Sequence, residues 1–230
     1  MTNLIVAAVA FLLLHLVVSG TRVREAAIGA IGPGFYMGLF SLASVCLLAW
    51  LAIAYGGFWH GPDDKAYWGA TTATKWIQLF VQLVALLFVV AGLSTRNPTA
   101  VRQEGALDSP DVVQGVLRIT RHPFLWGVAI WAAGHLLVNG DLAGIVLFGT
   151  MLVLALFGTV SIDAKRARAA GERWNAFAAK TSNIPFAAIA GGRQSLNIAE
   201  IGWARPAGAL VAWAILLGAH PHVFGVSALP

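Results

Sequence analysis

The stretch YMGLFSLASVCLLAWLAIAY, Tyr36–Tyr55, decides the class of this chain, because it runs without one Asp, Glu, Lys or Arg. As a helix it is long enough to cross the roughly 30 Å hydrocarbon core of a bilayer at about 1.5 Å per residue. Five further runs share its character: Leu4–Val18, Trp76–Leu93, Phe124–Val138, Leu142–Val160 and Ala207–Ala219. The chain is 58% hydrophobic and 11% charged, with 9 Trp. We therefore expect an all-α, polytopic membrane helix bundle of about six transmembrane helices, forming one domain over residues 1–230. The first, fourth and sixth runs are shorter than the roughly 20 residues of a comfortable span, so those helices borrow flanking residues such as Ser19 and Asn139. The opening Met1-Thr2-Asn3-Leu4 lacks the basic region of a signal peptide, and the first run is read as a retained helix.

Charge gives the orientation. Every Lys and Arg except Lys65 and Lys75 falls in the first, third and fifth loops. Loops rich in Lys and Arg stay on the cytoplasmic side, so a multi-pass protein of a bacterial inner membrane with both termini periplasmic is expected. The net charge of +5 follows from this bias and from attraction to anionic inner-leaflet lipid, and no nucleic-acid partner is needed to explain it. The single cysteine, Cys46, excludes an intramolecular disulfide and any multi-cysteine metal site.

Residues 162–202 form the largest loop. Its segment Asp163–Lys180 is polar and basic, but Trp174 and Phe177 share one helical face, which reads as an interfacial helix with rings inward and bases toward phosphates. The third loop, Ser94–Arg121, contains Arg96-Asn97-Pro98 and Asp108-Ser109-Pro110 and is expected to be mostly irregular, with one short helix near Asp111–Leu117. Pro123 suits the first turn of the helix that follows, which leaves Arg121 and His122 at the membrane surface.

Two histidines, His15 and His135, lie inside charge-free apolar runs. An imidazole in hydrocarbon is unfavourable unless it is paired or ligated, so each is a candidate functional residue. Counted from Asn3 and from Pro123 at 1.5 Å per residue, both lie about 18 Å from their own surface, near the middle of a 30 Å core. Two imidazoles at matching depth on antiparallel helices suit one metal or the two faces of a haem iron. The alternatives are a structural hydrogen bond, for which Gln78 and Gln82 are available, and a proton path or substrate contact. His60, His220 and His222 lie in loops or near the terminus and are read as non-chemical.

The stretch Arg118-Ile119-Thr120-Arg121-His122-Pro123, followed by Trp131, Gly134-His135-Leu136 and Asn139-Gly140-Asp141, resembles the signature of the NnrU family of membrane proteins. His15 with Ser19 and Arg22 is similar to that family's first helix. The resemblance covers about Leu4 to Pro185. It implies a role linked to nitrite and nitric oxide metabolism in denitrification, or kinship with a plant branch, the zeta-carotene isomerases, which are haem b enzymes with histidine ligands. It carries those ligands onto His15 and His135, and implies haem b as cofactor, with Arg121 and His122 available to a propionate or an anionic substrate at the cytoplasmic edge. The cysteine that precedes the second ligand by one turn in the plant branch is replaced here by Ala132, which removes ligand exchange by that route. The partners implied are the lipid bilayer, a hydrophobic small molecule and a respiratory nitrogen-oxide reductase.

A second resemblance points to another class. Arg121-His122-Pro123 with Gly127 and Gly134, then Gly171-Glu172-Arg173-Trp174 and Pro185, is similar to the cofactor region of the isoprenylcysteine and phospholipid methyltransferases, which bind S-adenosylmethionine. Only Asp163 and Glu172 offer carboxylates there, so a shared fold is expected more than a shared reaction. A non-enzymatic factor for assembly of a reductase is the third alternative.

Overall fold

The computed structural model describes residues 1–230. Helix α1 (Thr2–Leu13) runs into one π-helical turn, Leu14–Val18, and the chain then bends by 78° into α2 (Val23–Ile31). Next come α3 (Pro33–Phe58), a short strand β1 (Ala66–Gly69) and α4 (Thr72–Ser94). The third loop holds a 3-10 turn, Glu104–Asp108, and α5 (Val116–Ile119). Then follow α6 (Pro123–Val138), β2 (Asn139–Asp141), α7 (Leu142–Ala170), α8 (Glu172–Lys180), α9 (Ala187–Ala190) and α10 (Ala204–Phe224).

Each of the six apolar runs lies in a helical segment, which makes the chain a polytopic membrane helix bundle. Four helices, α3, α4, α7 and α10, are long and apolar enough to cross by themselves. The bent pair of α1 with α2 makes a fifth candidate, and α6 is a shorter apolar helix. At 1.5 Å per residue α6 rises about 24 Å, less than a roughly 30 Å core. Neighbours on both sides compensate: α6 is sandwiched between α4 and α7, α10 covers the far side of α4, and α1 lies against α3 and α7.

Lipid is as apolar as leucine, so these helices associate through close packing of small residues rather than through hydrophobic segregation. Seam α4–α6 shows this best. A Cβ at Gly92 would stand 2.5 Å from the Phe124 backbone nitrogen, and one at Gly127 would stand 2.7 Å from Val89 Cγ2 and 2.9 Å from the Ala85 carbonyl oxygen. The α1 seam is built likewise from Ala7, Ala8, Ala54 and Ala143, with Leu4, Phe11 and Leu51 completing a buried cluster.

The two ends of the bundle are fastened differently. At the end carrying Lys65, β1 pairs antiparallel with β2, Ala66 opposite Asp141 and Gly69 opposite Asn139. Asp141 caps α7 by accepting from Gly144 N at 2.6 Å, Asp64 accepts from Ala143 N at 3.0 Å, and carboxylates here also suit the helix dipole. Trp68 Nε1 donates to the Leu136 carbonyl at 2.8 Å. At the basic end, α7 continues through Asp163 to Ala170 instead of stopping at the apolar run, and Gly171, with φ of 52°, turns the chain into α8. The surface helix expected over Asp163–Lys180 is therefore two pieces, of which only the second is a separate helix. Its inward face is as expected, Trp174 and Phe177 each being 3% exposed. The short helix of the third loop forms at Val116–Ile119, at the edge of its expected position, because Gly115 takes a φ of 56°.

Gly127→Val should destabilise the bundle by about 1–3 kcal/mol, because the facing atoms are backbone and a packed Val89. Gly218→Val, which meets nothing within 4 Å, should stay within about 0.5 kcal/mol. Unfolding of both variants in detergent provides the comparison, and equal losses would show that the α4–α6 seam is not tightly packed.

Candidate functional site

His15 belongs to the π-helical turn, a local widening often found at functional positions. Its Nδ1–H donates to the Phe11 carbonyl at 2.8 Å, and Ser44 of α3 donates its hydroxyl toward Nε2 at 3.2 Å. The Phe11 and Phe40 rings flank the imidazole, with centroids 4.4 and 5.4 Å away. His135 repeats the pattern on α6. Its Nδ1–H donates to the Trp131 carbonyl at 2.9 Å, and its ring stacks on Phe148 of α7 at 4.6 Å and 19°. Trp131 O also accepts from Gln82 Nε2 at 3.2 Å, and Gln82 approaches closely because Gly134 lacks a side chain. The glutamine thus pairs with the carbonyl that holds the imidazole and not with the imidazole itself.

Both rings give Nδ1–H to the carbonyl four residues earlier, which leaves Nε2 with the lone pair. That is the tautomer in which a histidine ligates a metal, with its other nitrogen fixed by a second hydrogen bond. Helices α1 and α6 are both packed on α7 rather than on each other. No group of three or more His, Cys, Asp or Glu side chains is placed to hold a metal ion. The donor chemistry of the two histidines fits a haem.

Their depths differ from the expected match. Leu4 and Ala143 share the buried cluster near the end that carries Lys65. From that level to Phe148, the residue stacked on His135, α7 descends about 7.5 Å; from the same level to His15, α1 descends about 16 Å at 1.5 Å per residue. The reason is length. Each histidine lies about 18 Å from its own entry point, but in helices of about 24 Å the two positions pass each other along the axis.

A second polar centre lies at the basic end. Arg121 grips Asp163 of α7, Nε standing 3.0 Å from both carboxylate oxygens and Nη2 2.5 Å from Oδ2. His122, only 2% exposed, places Nε2 2.6 Å from Asp163 Oδ1. Burial pushes the imidazole below its ordinary pKa, while the Asp163 carboxylate pulls it up. The carboxylate can only accept, so the neutral ring donates Nε2–H to it, and buried Nδ1 is left without a partner. Trp174 lies under the Arg121 guanidinium at 5.8 Å. Asn97 and Thr99 both donate to the Arg121 carbonyl, and Thr120 and Trp126 both donate to the Asn183 carbonyl. Arg121 and His122 are thus committed to Asp163, with Arg121 Nη1 free of protein acceptors. Asp163 and the exposed Glu172 are not brought together: Glu172 accepts only from Asn175, at 3.4 Å.

A parallel clamp ties the third loop to the segment before α10. Arg118 Nε and Nη2 donate to Glu200 at 2.7 and 2.8 Å, and Gly115 N donates to the same carboxylate at 2.7 Å. The bond from Arg118 and that from the Gly115 N–H hold the Glu200 carboxyl down at about 2.

Sequence reasoning missed Ser44, Phe148 and Asp163 as partners of the named residues. Phe148 and Asp163 sit on one helix, and only the antiparallel packing of α6 on α7 shows that one meets His135 and the other Arg121.

Together, the apolar helices define a polytopic membrane protein, with two half-buried imidazoles on helical segments that pack against α7. The family described as NnrU protein matches residues 3–228, and the chain belongs to that family. The 15-cis-zeta-carotene isomerase of Zea mays is 29% identical over 178 residues, covering 75% of this chain and 47% of that protein. Its counterpart from Arabidopsis thaliana is 36% identical over 94 residues, covering 40% of this chain and 26% of that one. Both relatives are chloroplastic, and the chain spans about half of the one and a quarter of the other. No solved structure matches the chain.

Two substitutions at the basic end test these clamps. Asp163→Ala should be destabilising by about 3–5 kcal/mol, because it leaves Arg121 buried and unpaired. For Glu200 the folded pKa is depressed, so its contribution is full above about 4.5 and is lost as pH falls toward about 2. The acid-side drop in melting temperature over that window should shrink in Glu200→Gln. An unchanged drop would mean that other carboxylates carry it.

Proposed function

We propose that the protein would hold a b-type haem through His15 and His135, and acts on a hydrophobic small molecule in the bilayer in an isomerase-type or redox role; because the two positions are offset by about 8–9 Å along the bundle axis, sharing one iron would require α1 and α6 to shift toward each other. The observation that carries this reading is the shared geometry of the two imidazoles, each with Nδ1–H on the carbonyl one turn back and Nε2 left as lone-pair donor. The names of the plant relatives support the isomerase side, since a carotene is a bilayer-soluble polyene. Membership of the NnrU family supports the link to nitrite and nitric oxide metabolism, with a respiratory nitrogen-oxide reductase as the partner.

When bound, haem supplies an iron that cycles between two oxidation states, its potential set by axial ligation and burial. The chain's own residues do the rest. Phe11, Phe40, Trp131 and Phe148 keep water from the imidazoles. Ser44 meets the His15 nitrogen, a hydrogen bond that would have to give way for that nitrogen to hold an iron. Gln82 fixes the carbonyl that orients His135. Arg121 Nη1 is the donor left at the basic end for a propionate or another anionic group, with His122 holding Asp163 in place beside it. In this reading the basic end faces the cytoplasm of a bacterial inner membrane, following the distribution of Lys and Arg.

The test is an optical spectrum of detergent-purified protein expressed with haem supply, oxidised and then reduced with dithionite. Sharp reduced α and β bands are expected, and both His15→Ala and His135→Ala should lose them. Bands retained in both variants, or no Soret band in the wild type, would overturn the assignment.

A further inference from the structure

At the basic end, apart from the intramembrane histidines, an open cleft of about 790 Å³ is framed by the Ser109–Gln114 segment on one side and α8 on the other. We infer that this cleft binds a phosphate-bearing anion. The inference does not depend on the haem reading.

The cleft holds four cations, Arg118, Arg173, Lys180 and Arg193, against two carboxylates, Asp111 and Glu200. Arg118 and Glu200 neutralise each other through two short hydrogen bonds and form the floor. The other three cations are only partly satisfied. Lys180, at the end of α8, has no hydrogen-bond or ion-pair partner in the protein, while Arg173, two turns earlier on the same face, has only Asp108. That ion pair is 61% and 60% exposed on its two sides, so solvent screens it and it yields readily to a stronger anion. Arg193 uses Nη1 to hold the carbonyls of Ala179 and Thr181, both at 2.8 Å. Those bonds fix the guanidinium at the rim and leave Nη2 without an acceptor.

Across the cleft, the backbone N–H groups of Asp111, Val113 and Gln114 have no acceptor within the protein. The three partly satisfied cations outnumber the one unpaired carboxylate of the lining, Asp111, and the segment across from α8 carries backbone amides without protein acceptors. A carboxylate presents two oxygens in one plane, whereas a phosphate presents three or more in a tetrahedral array and uses such a surrounding more fully. Because the cleft opens at the basic end of a membrane bundle, the phosphate could come from an anionic lipid headgroup or from a soluble compound.

The full-length protein in phosphatidylcholine nanodiscs is titrated with inorganic pyrophosphate, and the phosphatidylglycerol retained by detergent-purified protein is counted by native mass spectrometry. Three proteins are compared: wild type, the double variant Arg173→Gln/Lys180→Gln, and Lys65→Gln, which removes a charge at the opposite end. Saturable pyrophosphate binding that weakens at least about tenfold in the double variant alone, or about 1.4 kcal/mol, supports a soluble ligand. Phosphatidylglycerol retained by the wild type and by Lys65→Gln but lost from the double variant supports a headgroup. If both measurements are the same in all three proteins, the inference is overturned. Melting temperatures of the three are expected to agree, since neither substituted cleft side chain has a buried partner.

Discussion

The bidentate contact of Arg121 with Asp163, shared with the buried His122 imidazole, sets the position of everything on α6. Pro123 starts that helix immediately after the pair, so the carboxylate on α7 fixes where α6 begins, and with it the level of Trp131 and His135. The other end of the same helix is closed by β2 and by the caps on α7. A helix of about 24 Å would sit loosely in a bilayer by length alone. Fastened at both ends to α7 and packed through glycine on α4, it has one register.

The class of fold was legible because it depends on composition and run length, which are local. All six apolar runs became helical, and Pro123 opens α6 as its position implied. The boundary at Asp163 was not legible: the charged stretch reads as the end of a span, yet it keeps helical geometry because Asp163 is neutralised by partners from another segment. The β1–β2 pairing was equally invisible, since strands of four and three residues carry no periodicity and meet across α4 and α6. At the candidate site, the sequence picked out His15 and His135 by their apolar surroundings. Their relative depth followed helix lengths, and those were set by the fastenings just described.

Displacement of the two imidazoles along the bundle axis places them in different surroundings. His135 lies within one turn of the polar closure at Asn139, whose side chain donates to the His135 carbonyl. His15 lies within one turn of the bend at the basic end. Each is therefore anchored by a different end of the molecule, and α7 packs against the helical segments that carry them.

The π-helical turn at Leu14–Val18 has a consequence for how the first helix relates to its own sequence. Such a turn is an α-helical turn with one residue added, so everything on one side of it is rotated relative to the other by about one residue's angular step. The Leu4–Phe11 face is bound to the alanine seam, while the residues beyond the turn take their direction from the bend and from Lys165, which donates to the Ser19 carbonyl. Loss of a single residue within this turn would restore ordinary helix without disturbing either flank. The segment is thus the place between α1 and the bend where chain length and side-chain direction are separable.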